Sequence, residues 1–361
     1  MTKEDLRLDL RYYYTTLNES EKGFYEVMAQ SFFERKYKII FGMFPECAPQ
    51  GGEFDEMPRY FYGYDEFVDF SKVYDAVIWD FPELFYVSNN KMRYDAEGYY
   101  MEFGGSPNDY TDQEIDEINA WLDKFYHKFD HITDDFELEV AVHDYILNCF
   151  EYEYEDDKLE GRSFEEIYTV VGFMKTNEGV CAAFARLMHY VLSRRGIPVA
   201  NIIANVFNED GSLGELHSWL AVKLGGNYYH VDITFNESDS KTPITPQHMY
   251  FNLTDEEIKA DRDFSHESFP GIVCNCTDYN YYRKMGLYFE DCESLKAKYK
   301  EFENDNRGSG KTKYFYIWTS SSLSCEDVTR AVRNATDRTV VKDGTVYEFD
   351  NGYYTFETTF N

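Results

Sequence analysis

Three residues in this chain have the types needed for nucleophilic chemistry, and they fall close together: Cys181, His217 and Asp232. A thiol nucleophile needs a base to take its proton and a carboxylate to orient that base. Residues 179–235 read GVCAAFARLMHYVLSRRGIPVANIIANVFNEDGSLGELHSWLAVKLGGNYYHVDITF and supply one of each. From Cys181 onward, Phe184, Leu187, Met188, Val191 and Leu192 recur at three- and four-residue steps, which predicts a one-faced helix. Arg194 and Arg195 suit its negative end, and Gly196 and Pro198 stop it. Cys181 is therefore expected in the first turn, where unpaired N–H groups and the positive dipole end favour a thiolate. Gly179 before it lets backbone approach closely. Taken alone, Cys181 reads more readily as a core thiol.

The two other residues belong to strands. Residues 218–223 and 228–235 flank Leu224-Gly225-Gly226-Asn227, and a Gly-Gly centre is a hairpin signal. With Gly225 and Gly226 as the loop, Trp219 is expected opposite Asp232 and His217 opposite Thr234. His217, opening its strand, and Asp232 are then diagonal neighbours on one face. Leu220, Val222, Val231 and Ile233 share the other, apolar face, so alternation and register agree.

At these residues the sequence resembles the transglutaminase-like superfamily, within the papain-like cysteine enzymes. The resemblance rests on Gly-Val-Cys at 179–181 ahead of a helix, His-Ser-Trp at 217–219, Tyr-His-Val-Asp at 229–232, and the order Cys, His, Asp. It is specific over residues 137–253 and weaker outside them. It implies an α+β fold in which a helix carrying Cys181 packs on an antiparallel sheet. It also implies Cys181 as nucleophile, His217 as general base then acid, and Asp232 as orienting carboxylate. Phe235 stands where many relatives carry tryptophan, a difference expected to tune packing. The Cys181 N–H is expected to be one oxyanion donor, with Asn177, Tyr168 and Trp219 as candidates for the second.

Charge narrows the partners. With 67 acidic and 35 basic side chains the formal net charge is −32, which repels nucleic-acid phosphates and anionic lipid headgroups. A peptide or protein substrate is expected, with no nucleic acid and no membrane insertion. No apolar run is long enough to span a bilayer. The first residues show no apolar signal region, and seven cysteines, an odd number, do not form a disulfide framework. A cytoplasmic protein is expected, or a secreted or cell-surface one if a leader is removed. The 33 tyrosines are expected mainly to cover half-exposed sheets and domain seams.

The elements that must hold the site follow from periodicity and caps. Helices are expected over 16–41, with Asn18 at its capped start, over 65–78, from Thr111 to about 129, over 134–150, and after the capping box Thr254-Asp-Glu-Glu. Residues 85–87 and 91–103 read as strands, and 45–58 and 104–108 as loops. A short helix over 163–173 leads towards Cys181. The Trp79 to Tyr86 segment, and Asp278-Tyr-Asn-Tyr-Tyr with Gly286-Leu-Tyr-Phe, loosely resemble parts of bacterial transglutaminase-like proteins. Residues 304–311 read as a linker, 313–319 as a strand, 326–335 as a helix and 345–360 as a hairpin. The expected division is an N-terminal α+β region (1–130), the catalytic core (131–270) and a C-terminal region with a small α/β tail (271–361).

The remaining histidines read as structural. His143 lies on an apolar helical face, His189 two turns into the Cys181 helix, and His230 opposite Ala221 among tyrosines. Cys274-Asn-Cys276 with Cys292 and His266 lacks the spacing of zinc knuckles, so ordinary thiols are expected. Residues 151–157, EYEYEDD, read as a solvated helix end and loop. No metal or cofactor is expected, and no EF-hand loop is visible. The expected function is peptide or isopeptide hydrolysis through the triad. Glutamine–lysine cross-linking and protein deamidation stand as alternatives, as does a catalytically inactive peptide- or glycan-binding module.

Overall fold

The structure, a computed structural model, describes residues 5–36, 38–42, 52–53, 68–87, 90–95, 98–103, 110–153, 164–208, 210–236, 245, 248–259, 261–265 and 270–361. Most of the expected loop at 45–58, the break at 104–108, the acidic 154–157, Cys47 and His266 lie outside them. The chain divides into two compact units, one of Met1–Tyr228 with Lys259–Val273, the other of Tyr229–Ile258 with Cys274–Asn361.

The first unit opens with α1 (Glu19–Phe33), started by a capping box in which Asn18 and Glu21 satisfy each other's backbone N–H. The expected continuation to residue 41 is corrected. Arg35 takes a left-handed φ of 56°. Lys36 N donates to Ser31 O and Arg35 N to Phe32 O, the Schellman pattern that ends a helix. The β-prone Ile39-Ile40-Phe41 then falls in β1 (Lys38–Gly42).

After α2 (Phe70–Asp80), the expected strand at 85–87 is absent; Leu84 N bonds Phe81 O and Val87 N bonds Leu84 O, two successive turns. Pro82 in this stretch cannot donate to a ladder. Strands β2 (Asn90–Asp95) and β3 (Gly98–Phe103) form the expected hairpin, and β1 pairs antiparallel with β3. Helix α3 (Asp112–Tyr126) starts at the Thr111 capping box, and α4 is Asp135–Cys149.

The helix expected over 163–173 is two helices, α5 (Phe164–Tyr168) and α6 (Val170–Thr176). Thr169 divides them, because its hydroxyl accepts from Val171 N and restarts the chain as an N-cap. Helix α7 (Cys181–Arg194) packs against β4 (Val199–Phe207) and β5 (Leu213–Leu224), and against α4, α5 and α6. Strands β4 and β5 are antiparallel, with Ile202 opposite Trp219 and Ala204 opposite His217. The second strand begins earlier than expected, so His217 lies inside it rather than at its start. Gly225 (φ 56°) and Gly226 (φ 90°) make the turn into β6 (Asn227–Val231), the left-handed pair that a two-residue hairpin of primed type requires.

In the second unit, Val231 at the end of β6 pairs with Phe251 of β7 (Phe251–Leu253). Residues 233–235, expected to be strand, instead fall in the short helix α8 (Ile233–Asn236), and α9 (Asp255–Ile258) follows the expected Thr254 capping box. Helix α10 (Cys292–Asn306) extends into the stretch expected as a linker. Strands β8 (Thr312–Thr319), β9 (Val341–Glu348) and β10 (Tyr353–Phe360), with the short Tyr288–Phe289 pairing parallel to β8 and with α11 (Cys325–Ala335), complete an α/β layer in which β10 lies between β8 and β9. Leu295, Ile317, Val328 and Phe356 form its core. Helices beside antiparallel sheets make the chain α+β.

Packing in the first unit buries acids. Asp80 is fully buried and accepts from Tyr13 N, Tyr14 N and the Tyr25 hydroxyl, which pins the N-terminal segment to α2. Burial raises its pKa to about 6. Burial, with the charge of Asp69 beside it, raises Asp75 likewise to about 6 from 3.8. Between those two values the folded state holds a proton that the unfolded chain has released, so stability falls as pH rises through this window. Asp75→Asn is therefore expected to raise stability at pH 7.5 by about 1–3 kcal/mol and to change it little at pH 4. Urea denaturation at the two pH values checks this; an equal gain at both contradicts it.

Candidate active site

Cys181 is the first residue of α7, and its local chain is fixed by close backbone contact. Two-residue parallel pairing joins Glu151–Tyr152 to Glu178–Gly179. Val180 N donates to Ile167 O at 3.0 Å, tying the approach to α5. A Cβ on Gly179 would lie 2.8 Å from both the Ala183 Cβ and the Phe173 ring. A Cβ on Gly172 of α6 would lie 2.0 Å from Glu166 O and 2.6 Å from Glu178 O. Only glycine lets these three backbones meet, and that meeting sets where α7 begins.

At that start, Val180 is the N-cap and supplies no side-chain cap. Ala183 N and Phe184 N donate to Val180 O. The N–H groups of Cys181 and Ala182 have no partner among the described residues, as expected of a first turn. Cys181 itself is half-buried. The sulfur of Cys181 therefore lies in an uncapped first turn that presents two N–H donors.

His217 is buried in β5, the strand against which α7 packs. Its imidazole stacks on Trp219, ring centroids 6.1 Å apart and planes 18° off parallel. Trp219 is 1% exposed and carries the Arg262 guanidinium over its ring at 5.4 Å. Arg262 is held by a bridge between its residue and Val206 of β4, and by Asp261 at 3.0 Å. A stack of cation, indole and imidazole fixes the histidine ring plane. Sequence reading missed Arg262, because its partner lies more than forty positions away and no local pattern announces it. It also missed the buried Ser218 hydroxyl, which donates to Asn201 Oδ1 at 3.0 Å and locks β5 to β4 beside His217.

Asp232 is fully buried and falls in the second unit. Its Oδ1 accepts from the Thr234 hydroxyl at 2.8 Å and from Phe235 N at 3.2 Å. The ladder expected to reach Thr234 is thereby corrected. The strand stops at Val231 because the Asp232 side chain caps a helical turn, an alternative that Asp offers the backbone. The Asp232 N–H donates to Tyr250 O at 2.9 Å, so the carboxylate sits on a fixed backbone.

The oxyanion candidates occupy different surroundings. Tyr168 ends α5 and is half-buried. Asn177 caps the C-terminus of α6 in the left-handed conformation and lines a cavity with Trp121, Phe125 and Cys149. Trp219 is held in the stack described above. The three histidines expected to be structural are all buried. His143 pairs with Asp144 at 2.9 Å and His230 with Asp255 at 2.9 Å. Burial, with Arg11 and Arg186 nearby, lowers the His189 pKa to about 3, so it stays neutral.

A helix that begins at a cysteine and lies on an antiparallel sheet bearing a histidine is the layout of the papain-like cysteine enzymes. Residues 124–233 match the sequence profile of the Transglutaminase-like superfamily. No curated protein matches the chain. Among solved structures it is similar to a provisionally named cysteine protease from Cytophaga hutchinsonii, 20% identical over 32% of this chain and 37% of that one, TM-score 0.27. It is also similar to a TGase, 11% identical over 43% and 46% of the two chains, TM-score 0.30. The chain thus spans less than half the length of either. Similarity at such scores does not establish a shared overall fold.

The glycine contacts make a separate expectation. Gly172→Ala is expected to cost about 2–3 kcal/mol, since the clash is with two backbone carbonyls and a helix must move. Gly23→Ala, in open space on α1, is expected to be neutral or slightly stabilising. Thermal denaturation of both variants measures the difference; similar melting temperatures contradict it.

Proposed function

We propose that the protein is a cysteine-dependent acyl-transfer enzyme acting on peptide or protein amides. The observation that carries this reading is Cys181 at the uncapped start of a helix packed on the strand that bears His217. The superfamily match over 124–233, which includes Cys181, His217 and Asp232, supports it.

In this mechanism His217 takes the Cys181 proton and the sulfur attacks the amide carbonyl. Asp232 is the orienting carboxylate. The N–H of Cys181 is one donor to the oxyanion, and the second comes from among Asn177, Tyr168 and Trp219. His217 then protonates the leaving amine, and water or a second amine attacks the thioester. With water as acceptor the outcome is peptide or isopeptide hydrolysis, our first choice; deamidation follows if the amide is a glutamine side chain. With a lysine amine the outcome is a cross-link. The −32 charge favours cationic, lysine-bearing substrates by long-range attraction.

Cysteine alkylation separates this proposal from a binding module. Among the described cysteines Cys149 is exposed whereas Cys181 is half-buried, so plain accessibility ranks Cys149 above the rest of them. The mechanism ranks Cys181 first at neutral pH, with iodoacetamide labelling at least about tenfold slower in His217→Ala. Peptide mapping of labelled protein reads both. Cys149 reacting fastest, or a rate indifferent to His217, would sink the enzyme reading. Incubating wild type and Cys181→Ala with a peptide library, with and without a free amine, then assigns the acceptor.

A further inference from the structure

A second cluster of ligating side chains lies wholly within the second unit. His230 on β6 is completely buried, and its Nε2 is 2.9 Å from Oδ1 of Asp255, the first residue of α9. The same Oδ1 accepts from Cys274 N at 3.1 Å, and Asp255 N donates to Cys274 O at 2.7 Å. This reciprocal clamp holds the carboxylate against Cys274, whose thiol is also completely buried. One nitrogen, one oxygen and one sulfur of these three residues all lie within 4.8 Å of one another.

Neither the acyl-transfer mechanism nor ordinary packing calls for this combination. A hydrogen bond from His230 to Asp255 would serve to anchor α9, but it gives no use to a sulfur beside the pair. Zinc bonds of about 2.0–2.3 Å in tetrahedral array put ligand atoms roughly 3–4 Å apart; here the nitrogen and oxygen are 2.9 Å apart and the sulfur lies within 4.8 Å of both, so a small side-chain adjustment brings the three onto one ion. The donor set suits a borderline-soft ion, because thiolate and imidazole select zinc and its neighbours over calcium or magnesium. The Asp255 side chain is 32% exposed, which leaves an approach from solvent and a place for water as fourth ligand.

We propose that His230, Asp255 and Cys274 bind one divalent transition ion, zinc by preference, with water completing the tetrahedron. The ion ties β6, α9 and the Cys274 segment, three pieces distant in sequence. On binding, the Cys274 sulfur–hydrogen bond breaks and that proton leaves to solvent. The His230 proton sits on Nδ1, which frees Nε2 for the ion, and Asp255 binds as carboxylate. Without an ion, burial and the Asp255 charge both push the Cys274 thiol well above its ordinary pKa. A cation reverses that bias and couples binding to release of a proton. Cys276, two positions on, is not one of the three converging side chains.

Cobalt(II) added to the metal-free full chain tests this. A single equivalent is expected to give the absorption of a tetrahedral cobalt–thiolate site, and zinc is expected to displace it. Cys274→Ser should abolish the thiolate band, while Cys276→Ser and Cys181→Ser keep it. The last variant excludes cobalt held at the proposed catalytic thiol, so the two readings fail independently. His230→Gln should weaken zinc binding more than about tenfold by calorimetry. No bound cobalt, a spectrum without a thiolate band, or a band that survives Cys274→Ser would overturn the site. If Cys274→Ser does not fold, the wild-type spectrum and His230→Gln decide.

Discussion

The first unit is organised by a point of backbone contact that no side chain could occupy. At Gly172 and Gly179 the carbonyls of Glu166 and Glu178, the Phe173 ring and Ala183 approach so closely that a single methyl group would displace them. The consequence is positional. Helix α7 must begin at Cys181 and not a residue earlier or later, because Val180 is held by Ile167 O and Gly179 by the short strand beneath it. A shift of one residue would rotate the thiol by 100° about the helix axis. The reactivity proposed for the sulfur depends on this placement at the open end of the helix.

In each unit the candidate side chains are held by ring contacts and backbone bonds. The imidazole of His217 is oriented by stacking on Trp219, and Trp219 by Arg262. The carboxylate of Asp232 is oriented by its own capping bonds. The same economy is seen at Asp80, where two N–H groups and a phenol surround a buried acid. In a chain of net charge −32, Asp80 and Asp75 are two acids taken inside with a raised pKa, and donors also meet Asp80.

Much of this was legible in the residues, and the failures share a cause. Capping signals at Asn18, Thr111 and Thr254 marked true helix starts, because a cap is a bond between residues three apart. The Gly225-Gly226 turn was legible for the same reason. The helix through 16–41 overran because Arg35, not glycine, takes the left-handed stop, which no propensity favours. The strand through 235 overran because Thr234 and Phe235 are β-prone, while the Asp232 side chain competes for their backbone. The linker expected at 304–311 was partly helix, since α10 runs on to Asn306. For the site, the sequence nominated Cys181, His217 and Asp232 but could not supply Arg262 or the Ser218–Asn201 bond.

The sequence by itself determined the local matters: where the cysteine helix starts and ends, which turn reverses the strands, and that the surface repels polyanions. These depend on contacts within a few residues or on composition alone. Tertiary structure decided which helix packs on which strand, and that Trp219 contacts both an imidazole and a guanidinium. It also decided that His230, Asp255 and Cys274 converge. Those are contacts between residues tens of positions apart, set by how layers pack, and no short-range pattern encodes them.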